Sequence, residues 1–150
     1  MWIKEVCGAL GKAKVAFAIA GGYAVALHGA VRGTIDLDIV LRLEKAQYLS
    51  AEAALKAMGL QPRLPVTAAE VFEFREEYIK NRNLVAWSFV NPRDPSQIVD
   101  IVLTRDLAKM RTKKIDGLPV LAKADLVAMK KESGRPQDLA DIEALESLEA

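Results

Sequence analysis

The sequence predicts an α/β (α+β) domain built on a mixed, mostly antiparallel sheet with helices mainly on one side. Two observations carry this. Short apolar runs with strand character are interleaved with stretches of helical periodicity, which calls for a sheet covered by helices. In the middle of the chain two strand-like runs, 84–90 and 97–103, are separated only by the turn signature "NPRDP". So short a connection joins antiparallel neighbours, because a parallel crossover needs a dozen residues or more. A length of 150 residues suits one domain with one core.

Taken in order, residues 2–11 have the apolar spacing of an amphipathic helix, and "VAFAIA" (15–20) reads as a buried strand ended by Gly21-Gly22. Residues 23–30, "YAVALHGA", form a short helix with Gly29 near its end. "IDLDIVLRL" (35–43) is the next strand, and residues 44–59 carry Ala, Leu and Met at helical spacing up to Gly59. Residues 68–80 fit a helix or a strand, and a helix followed by a turn is the reading taken. The strands 83–91 and 96–103 come next, then a short basic segment and "GLPVLA" (117–122). Helices 123–132 and 136–148 close the chain around "SGRP", with Pro136 at a first helical position. No repeat or linker divides it, so residues 1–121 form the core of one domain and 122–150 a helical hairpin.

Composition excludes several classes of chemistry. Cys7 is the one cysteine and His28 the one histidine, which leaves no disulfide framework, no cysteine zinc site and no histidine-built metal site. A reducing cytoplasm is the compartment expected for such a chain. The longest apolar stretch, 15–31, is interrupted by glycines and His28 and is too short for a membrane span, so no membrane partner is expected. The first residues carry Glu5 and lack the cationic head and unbroken apolar middle of a signal peptide. Net charge is +1, unevenly placed: residues 101–135 hold nine Lys/Arg against four Asp/Glu, and five acids without a base follow. Two readings stand, mutual neutralisation across a helix hairpin or a cationic wall facing a polyanion.

The chemistry points to three carboxylates. In a strand Asp36 and Asp38 face the same way, about 6.6–6.8 Å apart at their roots, while Leu37 and Ile39 face the core. Asp100 is likewise set in an apolar run, "QIVDIVL". If the two strands are neighbours the three acids converge. At an effective dielectric near 20 and about 6 Å, each like-charge pair costs roughly 3 kcal/mol, or about 8 kcal/mol for three pairs. A retained proton or a divalent cation must relieve that, and a hard cation such as Mg2+ or Mn2+ favours carboxylate and phosphate oxygens. Gly21-Gly22, between strand and helix, would let an anion approach the backbone N–H groups of a helix start. No Gly-Lys-Ser/Thr follows, so this is not a Walker phosphate loop. Together the two features assemble a site for a nucleoside triphosphate.

"GGYAVALHGAVRGTIDLDIVL" with "VDIVL" resembles the nucleotidyltransferase superfamily, whose palm-like fold is shared with DNA polymerase beta. Within it the chain is most similar to small bacterial enzymes related to the toxins of abortive-infection toxin–antitoxin pairs. The resemblance implies Asp36 and Asp38 as metal ligands shared with the nucleotide phosphates. It implies Asp100 as the third ligand, placed to assist deprotonation of an acceptor hydroxyl. Gly21, Gly22, Tyr23, Arg32 and Thr34 would serve the nucleotide, and Lys130 or Arg135 would reach the triphosphate with Asp138 positioning the cation. The superfamily often has a serine where this chain has Tyr23. The activity implied is transfer of a nucleoside monophosphate to a hydroxyl, on an RNA end, a protein or a small molecule, with an antitoxin protein as a possible partner.

Competing readings are kept for several residues. Lys130, Lys131, Arg135, Asp138 and Asp141 could simply bridge two packed helices, since Asp138 and Asp141 share a face at i,i+3. His28 is expected to pack or cap, and Trp87 and Phe89 to lie in the core. Glycosyltransferases also use Asp-x-Asp with a metal, but they lack the Gly-Gly helix ahead of the acids. A catalytically inactive protein of this fold that binds a nucleotide or a partner stays open beside the enzyme.

Overall fold

In the computed structural model, residues 2–30 and 36–148 are described. Helix α1 (Trp2–Lys12) buries Ile3, Val6, Cys7 and Leu10, the i, i+3, i+4, i+7 stripe of an amphipathic helix. Strand β1 (Phe17–Ala20), buried at every position, leads directly into α2 (Gly21–Leu27) and then β2 (Leu37–Leu41). Asp36 therefore lies just ahead of β2, while Asp38 lies within it. The glycine pair is the first turn of α2, two residues earlier than expected.

Helix α3 (Lys45–Ala57) is followed by the two-residue strand β3 (Gln61–Pro62), too short to read from sequence. The expected single helix over 68–80 is two, α4 (Ala68–Glu73) and α5 (Arg75–Arg82), parted at Phe74. A Thr67–Glu70 capping box starts α4, and α5 ends at Asn83 in the left-handed conformation. Strands β4 (Ala86–Asn91) and β5 (Asp94–Val102) form the expected hairpin.

The basic segment is itself a strand, β6 (Thr112–Ile115), paired antiparallel with β7 (Leu118–Leu121). Asp116 and Gly117 both have positive φ, 53° and 77°, as the tight turn between them requires. Helices α6 (Lys123–Ser133) and α7 (Pro136–Ser147) complete the chain.

Among the described residues the strands form one sheet in the order β3-β4-β5-β2-β1-β7-β6. Four of its pairings are antiparallel; β1–β7 and β2–β5 are parallel. One face carries Leu37, Ile39, Trp87, Phe89, Val99 and Ile101, all buried. Tyr48 of α3 stacks on Trp87, with ring centroids 6.2 Å apart, and Phe72 of α4 meets Tyr48 edge-on at 5.7 Å. Those helices cover that face, and Trp87 and Phe89 belong to the core as expected, but the α6–α7 hairpin lies on the other side, so the helices flank both faces of the sheet. The opposite face carries Asp38, Asp100 and Ser88, and α6 stands over it. Among the described residues no helix is long and apolar enough to cross a membrane.

Candidate active site

The register of the sheet assembles the site. In β2–β5 Asp38 lies opposite Asp100; across β5–β4 Asp100 lies opposite Ser88; across β2–β1 Asp38 lies opposite Ala20. One row across four strands thus runs Ser88, Asp100, Asp38, Ala20, and the chain turns at Gly21 beside it. Asp36 is close enough for the Asp100 charge and a hydrogen bond with Asp100 to act on it. The three acids that the sequence placed on two separate strands do converge.

Gly21 explains itself through Asp38. Its φ is +63°, and a Cβ built on it would lie 1.9 Å from Asp38 Oδ2. The carboxylate occupies the room a side chain would take, so any residue other than glycine would evict it. The helix that starts here has Ala20 as its N-cap and makes no side-chain capping bond, so no cap oxygen is spent on its first backbone N–H groups. Gly22 is buried, and Tyr23 packs in part against the core. Any phosphate contact by these two would have to come from the backbone. Arg32 and Thr34 lie outside the described residues.

Electrostatics bear out the estimated repulsion. Burial, then the charge of Asp100 and a hydrogen bond with it, then the charge of Asp36, push the Asp38 carboxyl up to about 7, against the pull of Lys130. Asp36 is raised by burial and by Asp100, with Arg63 acting the other way.

The donor chemistry, oxygen-only and anionic, fits Mg2+ or Mn2+. Among the described residues, no three His, Cys, Asp or Glu side chains stand in an arrangement that would hold an ion by themselves. Mg2+ characteristically takes one or two carboxylates and completes its shell with water and substrate phosphate, so an open cluster suits it better than a closed cage would.

A cavity of about 370 Å3 opens beside Asp38. Its polar lining includes Gly21, Asp38, Lys130, Arg135 and Asp138, and its apolar lining Val85, Ala86, Val102, Leu126 and Met129. Five of the residues expected to serve nucleotide and metal therefore share one cleft. An ion pair of Arg105 with Glu132, two further lining residues, ties the end of the sheet to α6.

The α6–α7 hairpin bears out the salt-bridge reading of its charges. Lys130, 8% exposed, donates to Asp141 Oδ2 at 2.8 Å and lies 3.6 Å from Asp138 Oδ1. Arg135 donates to Asp138 Oδ2 from Nε at 2.9 Å and from its backbone N–H at 3.1 Å. Burial alone would raise the Asp138 carboxyl, but hydrogen bonds from the Arg135 side chain, Ser133 and the Arg135 backbone hold it down at about 2. The helices neutralise each other, and the same cations face the cavity. Arg135 is mostly exposed while it pairs with Asp138. His28 joins its Nε2 to the Leu121 carbonyl at 2.9 Å and ties α2 to β7, a packing role as expected.

Two neighbours of the acids were not legible in the sequence. Ser88 donates to Asp100 Oδ1 at 2.5 Å. Arg63, whose charge acts on Asp36, is set beside Ser88 by a backbone bond to the Ser88 carbonyl at 2.8 Å. Ser88 could have been suspected as the one polar residue between Trp87 and Phe89, but its partner could not.

No protein-family model and no curated protein sequence matches the chain. Solved structures do match its fold. The lincosamide antibiotic adenylyltransferase LnuA, solved with lincomycin bound, superposes with a TM-score of 0.66 over 98% of this chain and 96% of that one, at 15% identity. The antibiotic-resistance factor ANT(2'')-Ia gives 0.64 over 95% of this chain and 80% of that one, at 11% identity. Its complex with adenylyl-2''-tobramycin gives 0.57 over 96% and 85%, at 13%. The chain shares its fold with these solved structures.

Proposed function

We propose that this chain is a metal-dependent nucleotidyltransferase that moves a nucleoside monophosphate from a nucleoside triphosphate to a hydroxyl acceptor. The observation that carries the reading is the register pair Asp38–Asp100 beside a glycine whose missing side chain the Asp38 carboxylate fills. An arrangement that crowds like charges at a cost to stability is explained by a ligand that neutralises them.

The acceptor oxygen attacks the α-phosphorus, the bond from that phosphorus to the oxygen bridging the β-phosphate breaks, and pyrophosphate leaves with the bonding electrons. The hydroxyl's proton passes to Asp100. Backbone N–H groups at Gly21, Gly22 and Tyr23 bind phosphate oxygens, and Arg135 adds a mobile positive charge. Lys130, fixed between Asp138 and Asp141, holds the hairpin at the cavity wall. A phosphate role for Arg32 and Thr34 rests on the sequence resemblance alone. Asp36, Asp38 and Asp100 are the residues that would hold Mg2+ or Mn2+, which would supply charge neutralisation at the reacting phosphate. Positioning and electrostatics account for the acceleration.

A small-molecule hydroxyl is the acceptor we favour over an RNA end or a protein. A cavity of about 370 Å3 with an apolar wall is of small-ligand size, and the neighbours LnuA and ANT(2'')-Ia were solved with lincomycin and adenylyl-tobramycin. A place in a toxin–antitoxin pair rests on the sequence resemblance alone. The inactive, nucleotide-binding alternative draws on Tyr23, which sets a bulky phenol, packed in part against the core, where the superfamily often has a serine.

The test is incubation with each labelled triphosphate, Mg2+ or Mn2+, and panels of hydroxylated small molecules, RNA and protein. Label transfer that disappears in the Asp36→Asn, Asp38→Asn double variant is the expected result. Undiminished transfer in that variant refutes the assignment, and metal-dependent nucleotide binding without turnover across all panels would favour the inactive form.

A further inference from the structure

The hydroxyl of Ser88 has a task that its strand does not require. Trp87 and Phe89 on either side are buried in the core on the far face, so alternation turns Ser88 toward the carboxylates. There it lies in register with Asp100 and donates to Oδ1 at 2.5 Å. The backbone of Ser88 is satisfied separately, its carbonyl accepting from Arg63 N at 2.8 Å. Removing the hydroxyl therefore leaves the strand's own bonding intact.

Resting on the nucleotidyltransferase reading, we propose that Ser88 is the positioning residue for Asp100, fixing the plane of its carboxylate toward Asp38 so that both can act on one divalent ion. Once an ion takes the place of the hydrogen bonds that Asp36 and Asp38 share with Asp100, the Asp100 carboxylate is free to rotate away from them. A donor on one of its oxygens opposes that rotation. The donor must also be neutral, since a lysine or arginine here would satisfy the charge that the ion is meant to satisfy. A hydroxyl on a β-strand, with one χ1 rotation between it and its target, meets both demands. Partners of this kind behind a metal ligand typically change metal affinity or activity 10–100-fold when removed.

The test uses the full chain, Mn2+ and a non-hydrolysable triphosphate analogue, with free Mn2+ followed by electron paramagnetic resonance. Ser88→Ala and Ser88→Val should weaken Mn2+ binding about 10-fold. Ser88→Thr, which has the shape of the Val variant but keeps the hydroxyl, should stay within about twofold of the parent chain. Asp100→Asn should lose at least as much as Ser88→Ala. Matched melting curves for the Thr and Val variants separate this from a folding defect. If Asp100→Asn weakens Mn2+ binding while Ser88→Ala and Ser88→Val do not, the role of Ser88 falls and the site reading stands. If neither Asp100→Asn nor Asp38→Asn changes Mn2+ binding, both fall together.

Discussion

Gly21 and Asp38 make a single steric unit. Gly21→Ala would place a methyl 1.9 Å from Asp38 Oδ2 and force a left-handed backbone on a residue with a Cβ. We expect a loss of at least about 2 kcal/mol in urea unfolding, with transfer activity abolished. Asp38 itself is the opposite case. Its carboxyl is pushed up to about 7 by burial and by its acidic neighbours, so the metal-free fold carries the repulsion as a cost. Asp38→Asn should stabilise the metal-free chain by on the order of 1–2 kcal/mol while abolishing activity. A destabilised Asp38→Asn chain would show that the crowding is not a cost at all.

Helix α7 buries two acids, Asp138 and Asp141, beside Ile142 and Leu145 of its apolar stripe, while Leu139 is exposed. The Asp138 carboxyl titrates near 2 in the fold, below its ordinary value, so between those limits the unfolded chain binds the extra proton. The resulting stabilisation is present above about pH 4 and is lost as pH falls through 2, amounting to about 2 kcal/mol. Urea unfolding at pH 3 and pH 6 should show it, and Asp138→Asn should flatten the difference. Lys130→Met removes the cation between two buried carboxylates and should cost about 3–5 kcal/mol, the penalty of breaking rather than replacing a buried ion pair. If Lys130→Met is as stable as the parent chain, Lys130 is not the group that secures the hairpin.

At the scale of the whole molecule, nucleotide and ion should stabilise the fold together rather than separately, because each neutralises charge the other brings. At 100 times its dissociation constant such a ligand adds about 2.7 kcal/mol. A thermal shift seen with Mg2+ and triphosphate together, and neither alone, is the expected outcome; an equal shift with triphosphate alone would remove the ion from the site. Much of this organisation was legible in the sequence: interleaved strands and helices, the β4–β5 hairpin, the acids in apolar runs and the paired charges of α6 and α7. Other parts were missed for identifiable reasons. Asp116-Gly117 is a hairpin signal, but the lysines of β6 masked the strand that precedes it. The break at Phe74 lies in a run whose apolar spacing continues through it. Residue types and their two- and 3.6-residue periods thus determined which groups could form a charged site and on which elements, since burial and alternation are local properties. Tertiary structure alone decided who faces whom. Asn91 pairs with Asp94 but Val90 with Ile98, so three extra residues on β5 shift the register by an odd number and bring Ser88, rather than Val85, opposite Asp100. The parallel pairing of β2 with β5 set Asp38 against Asp100, because the energy that fixes such a register comes from packing across the whole sheet and not from either strand.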